Sequence, residues 1–272
     1  MKINISLNAG IVLCSTLFVL TSCKKAAEKD TDAAEDEIIM QRGSEDIFSE
    51  SFLPSVDCTY GWDTLIGTCV TVTQDSPTFP KVLTLDFGTI GCVDPFGRDK
   101  SGKIILDMSD DIRNDDATCV MTFEDFTIEN IGISGTRTAT NIGESGSSEL
   151  ISVAGDFTAT YGTWYITRTV AHQREWSAGS TTCTFTDDEF LITGSGSTVG
   201  KYGKTVTHEI LEPLSIFPYE CGYIKSGQVE IKLGKRGGTV DYGDGTCDAI
   251  ATFTSFKGDV YTIDLLTCTI VE

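Results

Sequence analysis

The chain has 272 residues, 40% of them hydrophobic, which is enough to bury a substantial core. Its 20 Lys and Arg face 40 Asp and Glu, a net charge of -20; nucleic acid is excluded as a partner, because phosphate neutralisation needs clustered basic side chains. With 37 Thr, 22 Ser and 27 Gly, few long helical stretches and only two histidines, His172 and His208, the composition reads as all-β and argues against chemistry that uses several imidazoles.

At the N-terminus, Lys2 precedes an apolar run from Gly10 to Leu20. That run is too short for ~30 Å of hydrocarbon and reads as the h-region of a signal peptide, residues 1–22. Its end, Leu20-Thr21-Ser22-Cys23, resembles the lipobox of bacterial lipoproteins. The resemblance implies lipidation of Cys23 and a mature chain that meets the membrane through its lipid anchor. The expected location is the outer membrane, at the cell surface or on the periplasmic face. Residues 23–50 are charge-dense and poor in aromatics, and are expected to be an acidic, solvated tether. A short helix over Ala33–Met40 is compatible with the pattern but not required by it.

From residue 51 to 272 short β-like runs alternate with turn signals. Strands are expected at Thr68–Thr73, Lys81–Phe87, Lys103–Met108, Cys119–Ile128, Gly135–Asn141, Leu150–Tyr161 and Thr163–Ala171. Further strands follow at Thr181–Thr186, Glu189–Thr193, Thr205–Ile210, Gln228–Leu233, Thr239–Tyr242, Ala249–Ser255 and Val260–Leu265. The fold class is all-β, an antiparallel sandwich or an extended meander. Two internal echoes, Thr84–Gly88 against Thr239–Gly243 and Ser101–Ile104 against Ser226–Val229, leave open two related halves, 51–175 and 176–272.

Eight cysteines follow Cys23, an even number that suits an oxidising compartment. Cys69 with Cys92 and Cys221 with Cys247 are the favoured pairs, because a β-run leaves the first and returns toward the second. Cys58, Cys119, Cys183 and Cys268 stay unassigned. The segments LTLDFGTIGC, GRDKSGKIIL, SGTRTATNIG and TVDYGDGTCDAIATFT together resemble a group of exported lipoproteins of Bacteroidota with no assigned activity. That resemblance implies an exported, anchored β protein and says nothing of mechanism.

Two segments are candidates for function. Asp241, Asp244 and Asp248 share the stretch DYGDGTCD, which resembles the turn of PKD-type domains and spaces its carboxylates as a weak Ca²⁺ loop would. A tight Asp-Gly turn accounts for it equally simply and is the favoured reading, so no cofactor beyond weak Ca²⁺ is expected. At strand period two, Trp164, Ile166, Arg168, Val170, His172, Arg174 and Trp176 share one face. Trp164, Arg168, Arg174 and Trp176 are candidates for gripping a glycan, against a favoured reading of Trp in the core with Arg stems crossing it to solvent. Gly194-Ser195-Gly196-Ser197 reads as a loop. No nucleophile elbow, phosphate loop or metalloprotease helix occurs, and no catalytic residue is nominated. The expectation is a non-catalytic envelope or surface protein. The alternatives are a module that binds a glycan or another envelope protein and, further off, a hydrolase.

Overall fold

A computed structural model describes residues 31–45, 48, 52, 69–94, 97–218 and 220–271. It contains strands β1 (Thr71–Gln74), β2 (Lys81–Asp86), β3 (Cys92–Val93), β4 (Asp99–Met108), β5 (Thr118–Ile128), β6 (Ile131–Ser145), β7 (Ser148–Tyr161) and β8 (Trp164–Ala178). These are followed by β9 (Glu189–Val199), β10 (Thr205–Ile216), β11 (Ile224–Leu233), β12 (Arg236–Asp244), β13 (Ile250–Ser255), β14 (Val260–Asp264) and β15 (Thr269–Val271). All join one antiparallel sheet. Except for short β3, which pairs with β4, each strand lies between its neighbours in the chain, and β1 and β15 are the edges. The fold is all-β, in the order of an extended meander. Residue 175 falls inside β8, which pairs along its length with β7 and β9. The sheet therefore has no boundary between halves there.

Alternation along the strands sorts the composition. Leu83 and Leu85, Ile104 and Leu106, Ile151 and Val153, Phe190 and Ile192, Val229 and Ile231 all point inward and are buried. Thr and Ser take the outer face, where they meet across strands as Thr118–Thr140, Thr158–Thr167, Thr169–Ser197 and Thr239–Thr254. β-branched threonine suits such a half-exposed pleated surface.

The expected tether is overturned for residues 31–45. They form a helix, α1, and Phe48 and Phe52 are helical as well. Ala33, Ala34, Ile38, Met40, Phe48 and Phe52 belong to the same apolar core as the inward faces of the strands. Only Asp32, Glu35, Ile39, Arg42 and Gly43, with Thr31 at the start, keep intermediate exposure, a stripe at helical spacing. The sheet curls around the helix: Phe48 and Phe52 close on Met121 and Ala139 of β5 and β6, while Ile38 meets Ile216, Ile224 and Tyr242 of β10 to β12. Glu35 Oε1 accepts the amide of Ile270 at 3.1 Å and so covers part of the β15 edge. An acidic helix reads as solvated until its partners are known.

Two local expectations also change. Thr181–Thr186 forms no strand; its chain turns at a short 3-10 segment, Phe185–Asp187, with Thr182 bonded to Asp187. Gly194–Ser197 is not a loop but the middle of β9. There the glycines face inward, where side chains of β8 and β10 need the room. A Cβ at Gly196 would stand 2.5 Å from His208 Cε1.

Cys69–Cys92 and Cys221–Cys247 are disulfides, as the hairpin argument expects. Each closes a loop worth about 3–4 kcal/mol in the chain-entropy model. Cys183 is also disulfide-bonded, whereas Cys119 and Cys268 form no disulfide. Burial pushes the Cys119 thiol up to about 12. A maleimide should therefore label Cys268 in the native protein and reach Cys119 only after denaturation, as mass mapping of the adducts would show. Native labelling of Cys119 would contradict this packing.

Candidate functional site

β8 supplies the inward row Ile166, Arg168, Val170, His172, Arg174 and Trp176, all buried. The alternation places them on one face as expected, but the arginines do not reach solvent. Glu37, Gln41 and Glu45 recur every four residues on α1 and present one polar stripe toward that row. Arg168 Nη1 donates to Glu37 Oε1 at 2.6 Å and its Nη2 to Gln41 Oε1 at 2.5 Å. Gln41 Nε2 continues to Glu45 Oε1 at 2.9 Å. Glu45 receives Arg174 through both oxygens, at 2.6 and 2.8 Å. Thr198 Oγ1 donates to the second oxygen of Glu37 at 3.0 Å. The guanidinium of Arg174 stacks 3.8 Å from the Phe48 ring centre. Arg168, bridging Glu37 and Gln41, and Arg174, bidentate on Glu45, thus form one chain of hydrogen bonds in the buried interior.

The histidines belong to the same cluster, and their partners assign their tautomers. Arg168 Nη2 lies 3.3 Å from His208 Nε2, which makes that nitrogen an acceptor. His172 Nε2 then donates to it at 3.2 Å, and His208 Nδ1 carries its proton toward Glu37 Oε1 at 3.4 Å. Burial and the neighbouring Arg168 and Arg174 hold His172 far below the usual imidazole range, so it is neutral. Burial opposes ionisation of Glu37, yet Arg168 and His208 outweigh it and hold the carboxyl at about 2. Neither histidine touches solvent.

Trp176 is equally inaccessible. Its Nε1 donates to Asp188 at 3.0 Å, and its ring meets Phe52 and Phe190. Burial raises Asp188 to about 7. Of the four residues nominated for glycan contact, Arg168, Arg174 and Trp176 are thus sealed inside, where β-period alone could not distinguish core from surface. Trp164 alone stays partly exposed. It stands beside half-exposed Tyr161, ring centres 5.5 Å apart, at the β7–β8 turn. Together they wall a groove of about 530 Å³ between the exposed stripe of α1 and the ends of β5, β6 and β14. Its apolar lining includes Ile39, Ile128, Ile131 and Leu266. Arg42 at its side donates to the carbonyls of Leu265 and Leu266.

The acidic turn is internally satisfied. Asp241 accepts from Gly243 N and Gln228 Nε2, Asp244 from Thr246 N, and Asp248 from Ile250 N and Thr246 Oγ1. These are the local bonds of Asx turns, and among the described residues no group of three His, Cys, Asp or Glu is arranged to hold a metal ion. Cys23 lies outside the described residues.

No family model, curated protein or solved structure matches this chain. Its sites are therefore argued from chemistry alone. Sequence reasoning missed Glu37, Gln41 and Glu45, although their i, i+4, i+8 spacing was a signal available beside the apolar Ala33, Ile38 and Met40.

Removing one member of a buried pair leaves the other charge without its partner. Arg168→Met should cost about 3–5 kcal/mol in chemical denaturation. The double variant Arg168→Met/Glu37→Leu should recover much of that loss, because it removes both charges. The pH dependence follows from the shifted groups. Glu37 sits below its ordinary 4.5 in the folded chain, so its contribution is full above about 4.5 and drains as pH falls toward 2. His172, depressed from 6.5, adds loss in the same direction as pH falls below 6.5. Asp188, raised from 3.8 to about 7, opposes this between those values. Melting temperature should therefore fall steeply only below about pH 4.5, and Glu37→Gln should flatten that acid limb.

Proposed function

We propose that this is a non-catalytic, lipid-anchored binding protein of the cell envelope whose contact with a glycan is made at the Tyr161–Trp164 groove. One observation carries the reading. Arg168, His172, Arg174 and His208 are closed off inside the sheet, whereas two adjacent aromatic rings stand at the mouth of a groove. A ring face presented on a rigid hairpin suits the C–H face of a sugar, and backbone and hydroxyl groups around Thr267 and Glu129 supply polar edges. The net charge of -20 favours neutral over acidic polysaccharides. The lipobox resemblance at Cys23 supplies the anchor, and an outer-membrane location follows from the likeness to exported lipoproteins.

Two measurements test this. On an array of neutral and acidic oligosaccharides, the protein should be retained by neutral members, with retention lost in Trp164→Ala and largely kept in Trp164→Phe. Retention that ignores Trp164 would overturn the groove assignment. Separately, Cys23→Ala should move the protein from the membrane fraction to the soluble fraction.

A further inference from the structure

Thr31, the first described residue of α1, follows Cys23 by eight positions, a stretch of chain that spans at most about 26–29 Å. The end of the sheet around the start of α1 is therefore held close to whatever holds Cys23. Three neighbouring connections surround that start: β9–β10, β11–β12 and β13–β14. Tyr202, Lys204, Leu233 and Arg236 share one crevice with Asp32 and Asp36 of the helix. The amide of Phe256 donates to the carbonyl of Gly237 at 2.8 Å and sets the third connection beside the second.

These connections differ in charge from those at the opposite ends of the same strands. Lys201 and Lys204 stand in β9–β10, Lys235 in β11–β12 with Arg236 directly after it, and Lys257 in β13–β14. The β8–β9, β10–β11 and β12–β13 connections instead carry Asp187, Asp188, Glu220 and Asp248, with Asp244 directly before the last, and no basic side chain. Asp32, Glu35 and Asp36 of α1 and Asp259 offset part of the basic end, and Lys201 Nζ lies 3.5 Å from Asp36. The chain leading back to Cys23 does not reverse it, since Lys24, Lys25 and Lys29 face Glu28 and Asp30 there. The same end exposes apolar surface. Tyr202 is 69% exposed, Phe256 48% and Val260 65%, and none of them packs against the core. Gly203 and Gly258 each close their turn with a 2.8 Å bond, to the carbonyls of Gly200 and Ser255, so both rings ride on tight hairpins.

We propose that this end of the molecule docks on the bilayer that holds the anchor, with Tyr202, Phe256 and Val260 entering the interface and Lys204, Lys235, Arg236 and Lys257 meeting the phosphates of anionic lipids. The inference rests on the reading of Cys23 as the lipidated residue. Tyrosine suits headgroup depth, and each basic group near an anionic surface adds attraction. The net charge of -20 does not prevent approach, because at physiological salt a bilayer senses charges within about 8 Å. Acyl chains joined to a basic patch hold more firmly than chains alone, and the patch also fixes orientation: the acidic connections point away from the membrane. The Trp164 groove shares no lining residue with the crevice beneath these turns.

The test uses purified Cys23→Ala protein, which carries no lipid, sedimented with vesicles of phosphatidylcholine alone or mixed with phosphatidylglycerol. It should bind the mixed vesicles, and less so as salt rises. Lys204→Gln/Lys235→Gln/Lys257→Gln should weaken that binding at least about tenfold, and Tyr202→Ser/Phe256→Ser should weaken it several-fold. Leu211→Ser, which removes a leucine of similar exposure on β10, should leave it unchanged. All these side chains are exposed, so the variants should melt with the parent. No binding to either vesicle, or binding that ignores both multiple variants, would overturn the surface. A dimer in solution that the same substitutions dissociate would overturn it too, assigning these turns to a second copy of the chain. Release of Cys23→Ala from cell membranes is read separately and decides only the anchor.

Discussion

The fold depends on the burial of a charged helix stripe against a charged strand. Glu37, Gln41 and Glu45 cannot enter an apolar interior alone, and neither can Arg168 and Arg174. Together they satisfy one another through bonds of 2.5 to 2.9 Å. Replacing a buried ion pair by apolar side chains is often neutral or stabilising, so the network is not explained by raw stability. Its geometry instead sets register. Glu37 reaches Arg168 and Glu45 reaches Arg174, so α1 runs in the same sense as β8 and has one axial position along it.

That register has consequences across the sheet. A meander of this width has an inner face too large to be filled by its own side chains, and α1 supplies the missing volume. The apolar residues of the helix then bridge flanks of the sheet that never pair, such as β5 and β6 with β10 to β12. Inward positions opposite the histidines are emptied to make space: Gly194 sits against His172 and Gly196 against His208. At Gly194 the backbone also has φ +116°, where an L side chain would be strained. The glycines, the histidines and the helix stripe are therefore one arrangement distributed over four elements.

A protein built this way offers its exterior for recognition. Its convex face is Thr- and Ser-rich, its two histidines and the arginines of β8 are enclosed, and the aromatic pair at the β7–β8 turn lies where the curled sheet leaves the helix partly open. The stripe of α1 that remains visible, including Ile39 and Arg42, forms part of that same groove. Core and surface site thus share one helix.

Much was determined by the sequence alone. Alternation marked most strands within a few residues, because period two survives wherever one face is buried. The disulfides Cys69–Cys92 and Cys221–Cys247 followed from chain return, and the common face of Trp164 to Trp176 from strand geometry. What only the tertiary structure decided was which side of that face met water. Arg168 and Arg174 look like surface residues until Glu37 and Glu45 are brought to them from 131 and 129 positions away. Likewise residues 31–45 read as a solvated spacer, since local composition counts their charges but cannot see the opposite charges that neutralise them. Periodicity is a local property, and the sequence displays it directly. Charge compensation is pairwise and distant, and exists only once the chain has folded.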